Sequence, residues 1–240
     1  MRSSTKLPVL AVTGMAFEAR IAAGPGVVTL CGSRADTFAE ELRVAIANGV
    51  RGIVSFGIAG GLSAKLKPGD CIVARSIVTP EERFDSHQEW SSRLLQSIPG
   101  AIHADIAGVR APVTEPAHKL MLGRSTGASV VDMESMLCVN AAVAHNLPFA
   151  AVRVVADPLH RELPPAALVP FRDDGTADLS AVMRSVAGRP RQINALVRLA
   201  LDARTARAAL TRSRRLLGPG FGLIGQLEPA LSQLAMAAVE

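Results

Sequence analysis

The stretch Val130-Val131-Asp132-Met133-Glu134-Ser135 decides how the rest of this chain is read. Val130 and Val131 are β-formers that follow Gly127, and from Glu134 the composition turns to helix formers and alanine as far as His145. The pattern predicts a buried strand that delivers an acid pair onto the mouth of a helix. Open α/β folds bind ligands at the carboxyl edge of the sheet, where a carboxylate can accept hydrogen bonds from two vicinal hydroxyls, as on a ribose. The alternative on spacing alone is that Asp132 and Glu134 cap the helix, because its dipole stabilises acids at that end.

Working outward, strands and helices alternate. Upstream, Pro8 to Thr13 is a short apolar strand that ends at Gly14, with Glu18 just beyond, and Val27 to Cys31 is a second strand. Arg34 to Asn48 reads as an amphipathic helix with Phe38, Leu42, Ala45 and Ile46 on its apolar stripe. Gly52 to Phe56 is a third strand, feeding the glycine-rich turn Gly57-Ile58-Ala59-Gly60-Gly61-Leu62. Its glycines allow positive φ and a close approach of backbone N–H groups to a ligand, or simply a tight turn. Cys71 to Val78 is a strand, Thr79 to Gln88 a polar loop, Trp90 to Ile98 a helix, Ile102 to Val109 a strand and Ala117 to Gly123 a short helix. Downstream, Phe149 to Ala156 is a strongly apolar strand with one charge, Arg153, and it ends at Asp157-Pro158. The proline-rich Leu159 to Pro170 is expected over the sheet edge, as a lid.

This alternation predicts an α/β fold, a three-layer α/β/α sandwich around a central mixed twisted sheet, spanning residues 6 to about 188. Residues 189–240 are expected to form an arginine-rich helical extension packed on the same domain. Within it, Gln192 to Leu217 is an amphipathic helix with Ile193, Leu196, Ala200, Ala203 and Leu210 on one side.

Composition bounds the function. With 240 residues and 49% hydrophobic content the chain can bury a large core. Aromatics make up 3% and tyrosine is absent, so stacking platforms for single-stranded nucleic acid are scarce. Cys31, Cys71 and Cys138 stand far apart, which argues against a zinc site or a disulfide framework and fits a reducing, cytoplasmic setting. No metal and no cofactor is expected. Residues 1–183 carry 17 Lys or Arg against 18 Asp or Glu, whereas nine arginines lie between Met183 and Arg215 with Asp202 alone to oppose them. The net charge of +5 is therefore a property of one C-terminal segment, and its partner is expected to be acidic.

Taken together, the ordered motifs resemble the purine nucleoside phosphorylase and nucleosidase superfamily, in particular its methylthioadenosine/S-adenosylhomocysteine nucleosidase branch. They are Gly14-Met15 with Glu18, Gly57 to Leu62 before Lys67-Pro68-Gly69-Asp70, Val131 to Ser135, and Ala151 to Asp157. Within the superfamily, the Val130 to Ser135 stretch, the Ala151 to Asp157 strand and the arginine-rich extension look most like the hopanoid-associated phosphorylases. The resemblance implies cleavage of a purine N-glycosidic bond with release of adenine, from adenosylhopane in hopanoid side-chain biosynthesis or from methylthioadenosine and S-adenosylhomocysteine. It puts Glu18 near the nucleophilic water or phosphate, Met133 and Glu134 on the ribose, Asp157 as the acid at purine N7, and Ala59, Gly60 and Gly61 at the base or phosphate. It also implies a homodimer or larger assembly.

Inorganic phosphate is a candidate co-substrate, with Arg34 and Arg20 as candidate ligands. The sequence departs from the family pattern at Ile58 and Ala156, where hydrogen-bonding residues are usual, and its segment from Glu18 to Cys31 is short for the family's early hairpin. Those losses leave a second class of function open, a nucleoside- or lipid-binding module without turnover. A lipid-linked nucleoside would require contact with an anionic membrane surface, supplied by the arginines, with the 159–170 loop, Phe84 or Trp90 as walls for the tail.

Overall fold

A computed structural model of the chain describes residues 7–32, 37–167, 184–185 and 188–223. Its strands are β1 (Val9–Thr13), β2 (Val27–Cys31), β3 (Ile53–Gly61), β4 (Cys71–Val78), β5 (Arg83–Asp85), β6 (Ile102–Gly108), β7 (Val130–Asp132) and β8 (Phe149–Asp157). The helices are α1 (Ala16–Ala22), α2 (Phe38–Ala47), α3 (Gln88–Ser97), α4 (Pro116–Thr126), α5 (Ser135–Ala144) and α6 (Ile193–Leu216).

All eight strands belong to one mixed sheet, in the order β2-β1-β3-β7-β6-β4-β5, with β8 pairing both β3 and β4. The pairings β3-β7-β6-β4-β8-β3 close a ring, so the middle of the sheet has no open edge. β1 and β2 run parallel, joined by α1, so a crossover helix stands where the short early segment could not form a hairpin.

Side chains alternate across the strands into two cores. Leu10, Val12 and Ile53 pack with Phe38, Leu42 and Ile46 of α2 and with Cys138, Val139 and Ala142 of α5. Val9, Ala11, Val54, Val152 and Val154 face the other way, against Ala22 of α1, Trp90 and Leu94 of α3, and Ala206, Ala209 and Leu210 of α6. These are the helix layers above and below the sheet. At about 25 cal/mol per Å² of buried apolar surface, two such cores dominate the favourable side of folding.

Three expectations need correction. The stretch Gly57 to Gly61 is not a turn: it continues β3, and none of its glycines has positive φ. The polar loop after Val78 contains β5, which pairs antiparallel with β4. On α6, the predicted apolar stripe holds in part: Leu210 is buried and Leu196 and Ala203 are half-buried, whereas Ile193 and Ala200 are exposed, and the face that packs is Ala206, Ala209, Leu210 and Ser213. Alanine and serine suit that face because the helix axis lies close against β8. Of the expected lid, residues 159–167 are described, and 168–170 lie outside the described residues.

Candidate active site

Gly60 and Gly61 of β3 pair antiparallel with Val131 and Val130 of β7, so the two most suggestive stretches of the sequence are neighbouring strands. The glycines serve close approach. A Cβ on Gly57 would stand 2.5 Å from Glu18 Oε1 and 2.6 Å from an Arg153 guanidinium nitrogen, and one on Gly60 would stand 3.1 Å from Val131 Cγ1. Gly14 has the same duty at the end of β1, where a Cβ would meet Glu134 Oε1 at 2.5 Å.

The two acids of the pair stand differently. Asp132 is buried and takes the helix end, accepting from the Ser135 N–H at 3.3 Å and from the Ser135 hydroxyl. Glu134 is the N-cap residue by position but makes no capping bond with its side chain, which is left to the cavity.

That cavity, about 330 Å³, is lined by Gly14, Met15, Glu18, Ile58, Ala59, Gly60, Met133, Glu134 and Asp157, and by an apolar wall of Val109, Pro112, Val113 and Leu163. Glu18, Met133, Glu134, Ala59, Gly60 and Asp157 are thus brought together. Gly61 does not line it and packs instead against Pro158. Arg20 is exposed and borders a separate hollow with Arg214 and Arg215, so it is not placed to bind a group in the cavity. Arg34 lies outside the described residues. Ile58 lines the cavity, whereas Ala156 packs into the core beneath the sheet. Trp90 is fully buried with its indole N–H donating to Phe221 O at 2.9 Å, and neither it nor Phe84 lines the cavity. Of the proposed tail walls, Leu163 of the 159–170 loop is in place.

The residue that sequence reasoning passed over is Arg153. It is fully buried, and its guanidinium lies 3.1 Å from Glu134 Oε2 and donates to the Ser55 hydroxyl at 2.6 Å. Its Nε stands 2.5 Å from Asp132 Oδ2 without aiming its N–H at that oxygen, so this contact is an ion pair rather than a hydrogen bond. A lone arginine in an otherwise apolar, buried strand was the available signal, since such a charge requires partners.

Glu18 accepts from the Gly14 and Met15 N–H groups at 2.9 Å each and from the Ile58 N–H at 2.7 Å. Burial pushes its carboxyl up to about 7, against the pull of Arg153 and the backbone bonds and with a further push from Glu134. Burial likewise raises Glu134 and Asp157, the former opposed by Arg153 and the latter by Lys119. Beside the capping carboxylate of Asp132, the cavity therefore holds three carboxyl groups of different standing. One is poised near neutrality, one is tied to a guanidinium and one to an ammonium, a set suited to general acid–base chemistry. Among the described residues no group of three or more His, Cys, Asp or Glu side chains could hold a metal ion.

Residues 5–188 match the family model of the phosphorylase superfamily. No curated protein is significantly similar in sequence. Among solved structures, the chain resembles a methylthioadenosine/S-adenosylhomocysteine nucleosidase from Helicobacter pylori bound to butyl-thio-DADMe-Immucillin-A, with a TM-score of 0.60 at 14% identity, covering 88% of this chain and 98% of that one. It also resembles the corresponding enzyme of Colwellia psychrerythraea in complex with adenine, with a TM-score of 0.58 at 16% identity, covering 77% and 96%. Futalosine hydrolase of Helicobacter pylori gives 0.59 at 15% identity, covering 89% and 99%. At these identities the structural likeness speaks for the fold, while the family match spans most of the chain. The chain therefore belongs to the phosphorylase superfamily, as a nucleoside-cleaving enzyme.

Proposed function

We propose that the protein cleaves the N-glycosidic bond of an adenine nucleoside carrying an apolar 5′ substituent, with adenosylhopane as the substrate. The observation that carries this reading is the convergence of Glu18, Glu134 and Asp157 on one cavity. N-glycosidic cleavage passes through a ribosyl cation, so it needs an acid for the leaving base, an anchor on the sugar hydroxyls and a nucleophile on the opposite face. Asp157 is the acid, Glu134 with Met133 holds the ribose, and Glu18 orients the nucleophile. A cavity of about 330 Å³ is at the small end of the ~300–1,000 Å³ range of ligand sites. It suits a nucleoside whose tail leaves past Val113 and Leu163.

The test is adenine release from adenosylhopane in mixed micelles beside 5′-methylthioadenosine, S-adenosylhomocysteine and adenosine. Adenosylhopane should have the highest kcat/KM, and Asp157→Asn should remove most turnover with folding intact. A preference for methylthioadenosine would move the assignment to the nucleosidase branch. Tight adenosine binding without adenine release from any of the four would make the protein a binding module. Ribose 1-phosphate as the sugar product would identify phosphate as the nucleophile; ribose, without phosphate dependence, would identify water.

The substrate would lie in a bilayer, and the arginines between Met183 and Arg215 are the proposed docking element. Support comes from the exposed Ile193, Val197 and Leu201, which follow one another at helical spacing on α6, with Arg191, Arg198 and Arg204 exposed beside them. Each arginine near an anionic surface contributes roughly 1 kcal/mol, weakening with salt. Among the described residues no helix is long and apolar enough to cross a membrane, so attachment would be peripheral. Cosedimentation with anionic vesicles should fall at high salt and in Arg198→Glu/Arg204→Glu; binding absent at low salt would remove this role. A homodimer is the proposed assembly, supported by the exposed Met133 and Leu137 beside the cavity, and sedimentation velocity would decide it.

A further inference from the structure

Helix α4 buries one residue, and it is a lysine: Lys119 is fully buried although most of its helix is open to solvent. An ammonium has three N–H donors, and here there are three acceptors. Nζ lies 2.5 Å from Asp157 Oδ2, 3.0 Å from Arg161 O and 3.4 Å from Pro158 O. Taking such a charge out of water costs several kcal/mol unless it is paired. The fold therefore places a buried cation against the one carboxylate at the end of β8, in the wall of the cavity. As a device for stability this is poor, since a buried ion pair is commonly no better than well-packed hydrophobic residues.

We propose that Lys119 is the positioning residue of the leaving-group acid: it and Asp157 hold one mobile proton between them, and that proton reaches the departing base. This rests on Asp157 being the acid. In the step, a proton passes from Lys119 Nζ to the Asp157 carboxylate and from there to the purine ring nitrogen. The C1′–N9 bond breaks, its electron pair stays on the base and neutralises the added charge, and the sugar carbon is taken by the nucleophile, a water giving up its proton to the Glu18 carboxylate or a phosphate attacking already ionised. Lys119 is left as an amine and Asp157 as a carboxylate, and solvent returns the proton once the products leave. The bonds from Nζ to the Pro158 and Arg161 carbonyls also fix the chain that follows Asp157.

The surrounding charges agree with a shared proton. Lys119 faces Asp157 from α4, and the charge of Asp202 of α6 acts on Asp157 as well, Asp202 being itself bound to Arg161 with Nε to Oδ2 at 2.8 Å. Burial raises Asp157 most, Lys119 pulls it down, and Asp202 adds a smaller push upward. The carboxyl of Asp157 is thus raised by burial and opposed by Lys119 at hydrogen-bond distance.

The experiment uses the full chain and the variants Lys119→Met, Lys119→Gln and Asp157→Asn. Two readouts are taken: the pH profile of kcat for adenine release from 5′-methylthioadenosine and adenosine, and the titration of the Asp157 carboxyl carbon by ¹³C NMR, identified by its loss in Asp157→Asn. The expected result for Lys119→Met is a titration midpoint raised by about 1–3 pH units, the usual effect of losing a neighbouring cation. Its kcat should fall at least about tenfold at pH 8 and recover toward wild type below pH 6, where Asp157 carries its own proton. A loss of kcat that is equal at every pH, or an unmoved ¹³C midpoint in both lysine variants, overturns the proposal and leaves Asp157 as the acid. Wild-type turnover in Asp157→Asn overturns the underlying reading instead. If Lys119→Met fails to fold, Lys119→Gln carries the comparison, and if neither nucleoside is turned over the ¹³C midpoint decides it.

Discussion

Two clusters of charge are built into the central sheet with opposite balance. Buried behind the cavity, a single guanidinium, Arg153, faces three carboxyl groups, those of Asp132, Glu134 and Glu18. At the far side, on β4, β5 and β6, one buried carboxylate, Asp105, receives two arginines and a hydroxyl. Arg75 donates through Nε and a terminal nitrogen at 2.9 Å each, Arg83 at 3.0 Å and Ser76 at 2.7 Å. Burial acts on Glu18 and Glu134 in the one cluster and on Asp105 in the other in the same upward sense. At Asp105 the bonds from Arg75, Arg83 and Ser76 outweigh it and hold the acid well below the usual carboxylate range. At Glu18 they do not, and the carboxyl is carried up to about 7. The contrast separates a cluster that fastens strands from one that keeps protons in play: at Glu18 burial outweighs a guanidinium shared with other acids, and Glu134 adds to the push.

The largest effect is expected at Arg153. Arg153→Met removes the guanidinium from between its acids and leaves them buried without a partner, at a cost of about 3–5 kcal/mol. Urea denaturation at pH 7 and pH 5 would measure it, and the loss should be smaller at pH 5, where the orphaned acids can take up protons. An equal loss at both pH values would mean that the acids in the cavity are not in surplus.

Next is the pH response. Glu18 ionises near 4.5 in the unfolded chain and near 7 in the folded one, so between those values the native state binds more protons and stability falls as pH rises, then levels off. The full swing is on the order of 3 kcal/mol, and Glu18→Gln should flatten it in thermal melts across pH 4.5–7. Asp105 has the opposite sign. Its stabilisation is full above about 3.8 and is lost as pH falls below that value. Asp105→Asn should therefore cost about 1–3 kcal/mol at neutral pH, with adenine release per folded molecule unchanged. A change in turnover there would erase the distinction between the clusters.

The fold was legible because its signals are local. Each strand of Pro8 to Thr13, Val27 to Cys31 and Phe149 to Ala156 is an apolar run with a punctuated end, and that alternation with helices was enough. The acids Glu18, Glu134 and Asp157 were legible through their motifs, and the cavity does gather them. What could not be read is what depends on partners distant in sequence. Gly57 and Gly60 look like turn residues from their freedom in φ, whereas their lack of a Cβ leaves room for Glu18, Arg153 and Val131. Arg153 meets acids 19 and 21 positions away, and Lys119 meets one 38 away, spacings with no local signature. On α6, alanine carries the packing face while Ile193, Val197 and Leu201 look outward, so hydrophobicity alone misplaced Ile193.

The smallest effect is expected at Arg75, and it tests the comparison from its weak side. Arg75 has more of its side chain in solvent than out, 56% exposed, while the carboxylate it holds is 3% exposed. Arg75→Gln leaves Asp105 still bonded to Arg83 and Ser76, and the lost charge was already half hydrated and screened. The expected cost is about 0.2–1 kcal/mol, shrinking as salt rises from 0.05 to 1 M, where the Debye length falls to ~3 Å. Arg83→Gln alone should behave alike, but the double variant strips Asp105 of both cations and should cost more than the sum of the two. That excess, read from a double-mutant cycle at low and high salt, measures how far two exposed arginines substitute for one another around one buried acid. Additive single effects would mean that Asp105 is held by Ser76 and burial alone, and the cluster would then have no surplus of positive charge to set against the surplus of acid around Arg153.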